Sequence, residues 1–401
     1  MKYREVIQFL DNLTRFGIKL GLEPIKGLLA ELGNPQERYK SIQVAGTNGK
    51  GSVASFIASI LTESGYKVGL YTSPHLLEPT ERITLSRKPI SQKNFASLIT
   101  SLIPVIEKRV AGTGVPLTYF EVLTAAAFQY FAKEKIDFLV AEVGMGGRLD
   151  ATNVLKPLAC VLTPISLEHT EYLGHTLAAI AQEKCGIIKK GSLVVSSPQR
   201  REVADVIKAT CEKRNVPLYW IDKSSHYRGK FQIENAAVAR KAIESLASFG
   251  VRIKKRDIEK GLLKTKISGR LQILAQKPLI IYDVGHNPGA VRALCEALRD
   301  ISPQKYIFIY GCLNGKDAQQ IIKIIAPMTK ILILTKPKSK RAREPEELLQ
   351  IAKEVLSEKK IKVISNPKLA LRIALKNKKK EPVCIFGSFY LASSFKNLLH
   401  P

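Results

Sequence analysis

The chain has 401 residues, 45% of them apolar and 24% charged, and its 63 lysines and arginines against 35 acids leave a net charge of +28. That length exceeds what one hydrophobic core normally organises, so two domains are expected, and no uncharged apolar run approaches the roughly 18 residues that a membrane span needs. Six cysteines without a Cys-x-x-Cys pair, and a start (Met1-Lys2-Tyr3-Arg4-Glu5) without an apolar signal core, predict a soluble cytoplasmic enzyme with reduced thiols and no structural zinc.

In chain order, the first informative element is the strand end Ile42 to Ala45, followed by Val53, Phe56, Ile57, Ile60 and Leu61 at the spacing of one helix face. Between them lies Gly46-Thr47-Asn48-Gly49-Lys50-Gly51-Ser52. Unpaired amides and the positive end of a helix dipole converge there, which suits a phosphate. Lys50 would reach its outer oxygens, and the Ser52 hydroxyl a phosphate oxygen or Mg²⁺. The string is not the standard P-loop pattern, because Val44 and Gly51 stand where a glycine and a Ser or Thr are usual.

Further short apolar runs follow: Val68 to Tyr71, Phe138 to Val143, Cys160 to Thr163 and Leu193 to Val195. They read as strands buried on both faces, alternating with helices in an α/β arrangement. Open parallel sheets bind ligands beyond the carboxyl ends of their strands. Those ends carry Thr72-Ser73-Pro74-His75, then Glu142 before Gly144-Met145-Gly146-Gly147-Arg148, then Ser166-Leu167-Glu168-His169. Glu142 with Ser73 beside the phosphate loop makes a reasonable Mg²⁺ site, with capping or a surface salt bridge as the plain alternative for Glu142. A helix is expected over Leu177 to Lys189, containing Glu183-Lys184-Cys185-Gly186.

From about Gln276 the alternation repeats, with strands at Leu279 to Tyr282, Tyr306 to Tyr310, Ile331 to Thr335, Ile361 to Ile364 and Val383 to Phe386. The first of these ends in Asp283-Val284-Gly285-His286-Asn287-Pro288, where His286 and Asn287 either meet a ligand or cap the helix Ala290 to Leu298. The fold expected is α/β: an N-terminal P-loop-type ATPase domain with a mostly parallel sheet over residues 1–266, and a smaller C-terminal Rossmann-like α/β domain over 276–401. Residues 267–275 read as a hinge, with an interdomain cleft as the default ligand site. The basic runs Lys254-Lys255-Arg256, Lys336 to Arg343, Lys359-Lys360 and Lys376 to Lys380 lack interleaved aromatics and read as solvated faces rather than a nucleic-acid groove.

Several ordered motifs resemble folylpolyglutamate synthase and dihydrofolate synthase, of the Mur ligase superfamily. They are Gly46 to Ser52, Tyr71 to Leu76, Glu81-Arg82-Ile83, Gly144 to Asn153, Glu183 to Lys189, Gly269-Arg270, Asp283 to Pro288, Lys316-Asp317, Arg341-Ala342 and Gly387-Ser388. The resemblance implies an ATP-dependent ligase that joins L-glutamate to dihydropteroate, to reduced folates, or to both, through an acyl phosphate. It implies ATP held by Gly46, Thr47, Asn48, Gly49, Lys50, Gly51 and Ser52, with Asn235, Arg270, Asp283 and His286 also at the nucleotide. Ser73, Glu142, His169 and Lys184, the last as a carbamate, match positions that organise Mg²⁺; Lys50, Glu142, His169 and Lys184 are thereby implied as catalytic. Arg82, Asp150 and Asn153 fall where the pterin substrate is received, and a monomer working in the cytoplasm without nucleic acid or membrane is the implied setting.

The sequence departs from relatives at Glu168, where Asp is usual, at Val284-Gly285 within Asp283 to Asn287, where Gly-Ala is usual, and at Phe386-Gly387-Ser388-Phe389-Tyr390, where Thr-Gly-Ser-Leu-Tyr is usual. Two other readings are a peptidoglycan-precursor ligase of the same superfamily and a nucleic-acid-binding P-loop ATPase. The Ser-Pro-His-Leu and Glu-Arg-Ile strings, and the lack of an additional N-terminal substrate domain, argue against the first. Salt-dependent binding tests the second.

Overall fold

The computed structural model describes residues 1–17, 19–221, 231–376 and 381–399; positions 377–380 of the last basic run lie outside the described residues. The chain forms two compact units, one built from residues within 1–265 and the other from Lys266 onward.

The strands of the first unit are β1 (Lys40–Ala45), β2 (Val68–Tyr71), β3 (Ile83–Leu85), β4 (Lys88–Pro89), β5 (Phe138–Glu142), β6 (Ala159–Leu162), β7 (Leu193–Ser196) and β8 (Leu218–Trp220). They form one sheet in the order β4-β3-β2-β5-β1-β6-β7-β8, parallel except for β3 and β4. β1 is central, with Val44 in register with Glu142 on one side and Val161 on the other. Helices cover both faces. On one, Tyr3–Leu13, Glu23–Glu31, Gln92–Thr113 and Tyr119–Lys133 close a core around Phe95, Phe128 and Phe131. Further along that same face, Leu177–Cys185 and Arg201–Arg214 pack on Cys160, Leu162 and Val194, and the opposite face, to which Glu142 points, is covered by the helix Lys50–Glu63. Each fully buried Leu, Ile or Phe contributes roughly 1.5–3 kcal/mol by leaving water, so these faces hold the loops at the strand ends in place.

The helix after β1 runs Lys50–Glu63 and buries the five apolar residues whose spacing marked it, together with Ala54, Ala58 and Ser59. It is covered on a second side by the helix Lys255–Lys264, where a Cβ on Gly261 would overlap the backbone of Ile60. The helix expected over Leu177 to Lys189 ends early, at Cys185. The reason is close packing: a Cβ on Gly186 would overlap Arg148, and the Gly186 carbonyl accepts from Asn153 Nδ2 at 3.2 Å instead of continuing a helix.

The second unit holds β9 (Gln272–Gln276), β10 (Leu279–Asp283), β11 (Tyr306–Tyr310), β12 (Thr329–Leu334), β13 (Ile361–Val363) and β14 (Val383–Phe386), ordered β13-β12-β11-β14-β10-β9. All neighbours are parallel except β9 on β10. Of the segment 267–275, read as a hinge, residues 272–275 belong to β9, an edge strand of this sheet, and residues 267–271 are a turn before it. The strand's exposure on one side and its mixed composition hid it, since Ile273 is half exposed. Lys254, Lys255, Arg256, Lys338, Lys340, Arg341 and Lys359 are exposed, as solvated faces require.

Candidate active site

The carboxyl end of β1 turns through Gly46 and Gly49, both at positive φ (144° and 89°), into the helix starting at Lys50. These two glycines are needed twice over. A Cβ on Gly46 would overlap Thr163 Oγ1, and one on Gly49 would overlap Asn235 Oδ1. The loop is pinned from β6: the amides of Thr47 and Asn48 donate to the Pro164 carbonyl at 3.0 and 3.3 Å, and Thr47 Oγ1 donates to the Ser166 carbonyl at 3.1 Å. Lys50 Nζ donates to the Thr47 carbonyl at 3.2 Å, folded over its own loop. Ser52 is buried and its hydroxyl accepts from Gln232 Nε2 at 3.4 Å, while Gln232 Oε1 accepts from Asn235 Nδ2 at 3.3 Å. Asn235 thus belongs to the wall of the phosphate loop.

Glu142, the last residue of β5, is buried, and its Oε2 accepts the Ser73 amide at 3.0 Å. The same oxygen lies 3.2 Å from where a Cβ on Gly51 would stand, so the carboxylate faces the first turn of the phosphate-loop helix. Its burial excludes a surface salt bridge. Lys184 is buried on the far side of the loop and donates from Nζ to the Gly46 carbonyl at 2.7 Å. Burial, and then the nearby Lys50 charge, lower its pKa to about 7, against a partial restoring pull from Glu168 and Asp150. A lysine in that state is largely a neutral, nucleophilic amine at slightly alkaline pH.

Beside these groups the first unit encloses a cavity of about 280 Å³, lined among others by Ser73, Arg82, Phe120, Met145, Asp150 and His169. Asp150 is buried and accepts from the Met145 amide at 2.9 Å and from the Thr152 amide and hydroxyl at 2.9 and 2.6 Å. Burial raises its pKa against these hydrogen bonds. Arg82 reaches the cavity from a short helical turn, Pro79–Arg82, which is fixed by the Glu81 carboxylate accepting the amides of Leu76, Leu77 and Glu78. Its guanidinium lies 5.4 Å over the Tyr119 ring. His169 adopts the left-handed conformation (φ 53°) just before the helix Thr170–Leu173. Asn153 does not line the cavity. Its amide donates to the carbonyls of Arg148 and Gly186 at 2.8 and 3.2 Å, tying the glycine-rich turn to the Lys184 helix, so its contribution is to shape.

The cavity was not expected as a unit. Phe120 and Glu121 had a local signal, because Thr118 and Glu121 form a capping box at the start of Tyr119–Lys133. The stretch from Gly17 to Gly21, whose Gly17, Lys19, Leu20 and Gly21 also line the cavity, had none.

In the second unit, Arg270, Asp283 and His286 come together at the carboxyl end of β10. Asp283 is buried and accepts from the amides of Leu271 and Gly285 at 2.9 and 2.6 Å. The Arg270 guanidinium stands 5.8 Å over the Phe389 ring, and His286 Nδ1 is 3.0 Å from the Val284 carbonyl. Asn287 caps the helix Pro288–Ile301 by accepting the Ala290 amide at 2.8 Å.

Among the described residues, no cluster of three His, Cys, Asp or Glu side chains is placed to enclose a metal ion. One buried carboxylate beside a phosphate loop, with hydroxyls nearby, is nonetheless the donor set that suits Mg²⁺, which keeps water and nucleotide oxygens as its other ligands. Glu142 and Ser73 fit that description.

Residues 44–273 match the Mur ligase middle domain, and residues 269–389 match the Mur ligase glutamate ligase domain. Fold and site together define a ligase of the Mur type. The chain is 31% identical to a dihydrofolate synthase/folylpolyglutamate synthase of Bacillus subtilis (strain 168), over 99% of this chain and 99% of the relative. Folylpolyglutamate synthase of Mycobacterium tuberculosis complexed with ADP has the same fold (TM-score 0.92, 28% identity, 100% of this chain and 99% of that one). So does E. coli FolC in complex with DHPP and ADP (TM-score 0.86, 26% identity, 98% and 97% covered). The chain belongs to the dihydrofolate synthase/folylpolyglutamate synthase family.

Proposed function

We propose that this ligase joins L-glutamate to dihydropteroate, to reduced folates, or to both, at the expense of ATP. The observation that carries the reading is the adjacency of three features in the first unit: a phosphate loop pinned to β6, the buried Glu142 against its first helical turn, and a cavity lined by Arg82, Asp150 and His169. The family membership supports it over a peptidoglycan-precursor ligase, because the relatives named above match nearly end to end.

A carboxylate is a poor electrophile, so the acid held in the cavity attacks the γ-phosphorus of ATP, forming an acyl phosphate and releasing ADP. The amino group of glutamate then attacks the acyl carbon, and phosphate leaves as the amide forms. Both steps gather negative charge at the loop, where the amides of its turn and Lys50 stabilise it by prior placement rather than by rearrangement. Glu142 and Ser73, with His169, would hold Mg²⁺, which when bound neutralises phosphate charge. Lys184, as the free amine, adds CO₂ at Nζ and loses a proton to become a carbamate, which changes a cation beside the loop into an anion directed at the metal. Arg270, Asp283 and His286 are proposed as the second unit's contribution to the nucleotide, and Arg82 and Asp150 as contacts of the pterin-bearing acid.

Small molecules are the substrates in this reading. Monomeric action in the cytoplasm without nucleic acid goes with it, supported by six free cysteines and by the lack, among the described residues, of a helix long and apolar enough to cross a membrane. The test is ADP release with ATP, Mg²⁺ and L-glutamate, in parallel with dihydropteroate, tetrahydrofolate or no acceptor. Release with dihydropteroate establishes one reaction and release with tetrahydrofolate the other. ATPase activity stimulated by nucleic acid and indifferent to glutamate would replace the reading with the nucleic-acid one.

A further inference from the structure

The pair of half-buried His75 and buried Arg82 stands apart from the phosphate chemistry. Arg82 is 9% exposed, and its Nε donates to His75 Nδ1 at 3.0 Å. Donation to Nδ1 leaves the ring proton on Nε2, so His75 is a neutral imidazole used as an acceptor. That is an unusual partner for an arginine, which more often meets a carboxylate that takes two of its N–H groups at once. Glu81, one residue away, would be such a carboxylate, but its oxygens are taken by the amides of Leu76, Leu77 and Glu78.

The consequence is geometric. An imidazole nitrogen satisfies only Nε, and the Tyr119 ring supports the guanidinium plane from one side. The two terminal amino groups have no hydrogen-bond acceptor among the described residues, although Arg82 is nine-tenths buried and lines the cavity. Neither amino group is sealed from solvent; both open on the cavity, where a ligand oxygen can take them up. We infer that His75 is a positioning residue for the acceptor acid: it fixes Arg82 through Nε so that both terminal amino groups are presented to an oxygen acceptor of the pterin-bearing substrate. A carboxylate at position 75 would occupy those donors itself; a neutral acceptor leaves them for the ligand.

This inference rests on Arg82 contacting the acceptor acid, and the test separates the two. Initial rates are measured with dihydropteroate and with tetrahydrofolate for the whole chain and for Arg82→Ala, His75→Leu and His75→Asn, with melting temperatures as a check on folding. Asn places an amide oxygen near the former Nδ1, whereas Leu fills the space without an acceptor. His75→Leu is expected to raise KM for whichever acid is used by roughly tenfold, the effect of one misplaced charge-assisted hydrogen bond, with KM for ATP and glutamate within about twofold. His75→Asn is expected to recover most of the loss. An unchanged acceptor KM in His75→Leu, a rise in all three KM values together, or an Asn variant as impaired as the Leu variant each overturns the positioning role. If Arg82→Ala leaves the acceptor KM unchanged, the assignment of the cavity itself fails.

Discussion

Lys184 Nζ and the Gly46 carbonyl oxygen lie 2.7 Å apart, so a buried amine closes on the first residue of the phosphate loop. With its pKa lowered from an ordinary 10.5 to about 7, this amine is the group in the site most ready to add CO₂ near neutral pH. Enzyme equilibrated with ¹³C-labelled bicarbonate at pH 8 is expected to show one slowly exchanging carbamate carbon that is absent in Lys184→Arg. Ligase activity in the Arg variant should fall at least a hundredfold, the scale of losing one preorganised electrostatic group. An active enzyme with no carbamate signal would leave Lys184 as a plain amine.

The same lysine makes a stability prediction whose direction is fixed by linkage. Between pH 7 and 10.5 the unfolded chain holds a proton on Lys184 that the folded chain has lost, so stability rises with pH across that window. The penalty for burying the charge is fully present below pH 7. In CO₂-free buffer, urea midpoints should climb more steeply with pH in the wild type than in Lys184→Met, the difference approaching about 1.4 kcal/mol per pH unit for one proton. Parallel pH profiles for the two proteins would contradict the lowered value.

Glu142 tests the other half of the loop. Glu142→Gln keeps an oxygen to accept the Ser73 amide, so the melting temperature should move little. The charge facing Gly51 is lost, and the Mg²⁺ concentration giving half-maximal ADP release should rise by at least roughly 10–100-fold, the range seen when groups supporting a metal site are removed. A variant with normal Mg²⁺ dependence would place the cation elsewhere.

What could be read in the sequence divides along burial. All ten apolar runs taken as strands are strands, because a strand buried on both faces needs a continuous apolar run, as β1, β5 and β11 show. The four that were missed, β3, β4, β8 and β9, lie at or next to the sheet edges, and Lys88 and Pro89 of β4 are exposed residues with no such run. The phosphate loop announced itself through local order alone. Lys184 did not: a lysine on a helix is usually solvated, and only the resemblance singled it out before its burial was visible. The cavity was the least legible part, because it joins Gly17 and Lys19 to Gly144 and Asp150, and no short-range pattern encodes that closure.

Gly49 combines two independent demands, which makes its substitution informative. At φ 89° a Cβ is strained, and there it would also overlap Asn235 Oδ1. Gly49→Ala should cost roughly 1–3 kcal/mol from backbone strain alone. It should also push Asn235 away from the loop, so ADP affinity measured by calorimetry should fall. In the double variant Gly49→Ala/Asn235→Ala the overlap is relieved while the strain remains, so part of the stability is expected to return. If none returns, the contact with Asn235 contributes nothing.

Asp150 has its carboxylate divided between two jobs, and an amide can do only one of them. Oδ1 accepts twice from Thr152 and Oδ2 once from the Met145 amide, so in Asp150→Asn an NH₂ group must face an N–H or turn away from it. Leaving one buried donor unmet costs about 1–3 kcal/mol, which should lower the melting temperature measurably. Because the residue lines the cavity, KM for the acceptor acid should rise as well, while ADP affinity stays near the wild-type value, since the phosphate loop is held separately by Pro164 and Ser166. A loss of ADP affinity matching the loss of acceptor affinity would mean that the turn from Gly144 to Asp150 shapes the nucleotide site too, and that the cavity is not a separate substrate pocket.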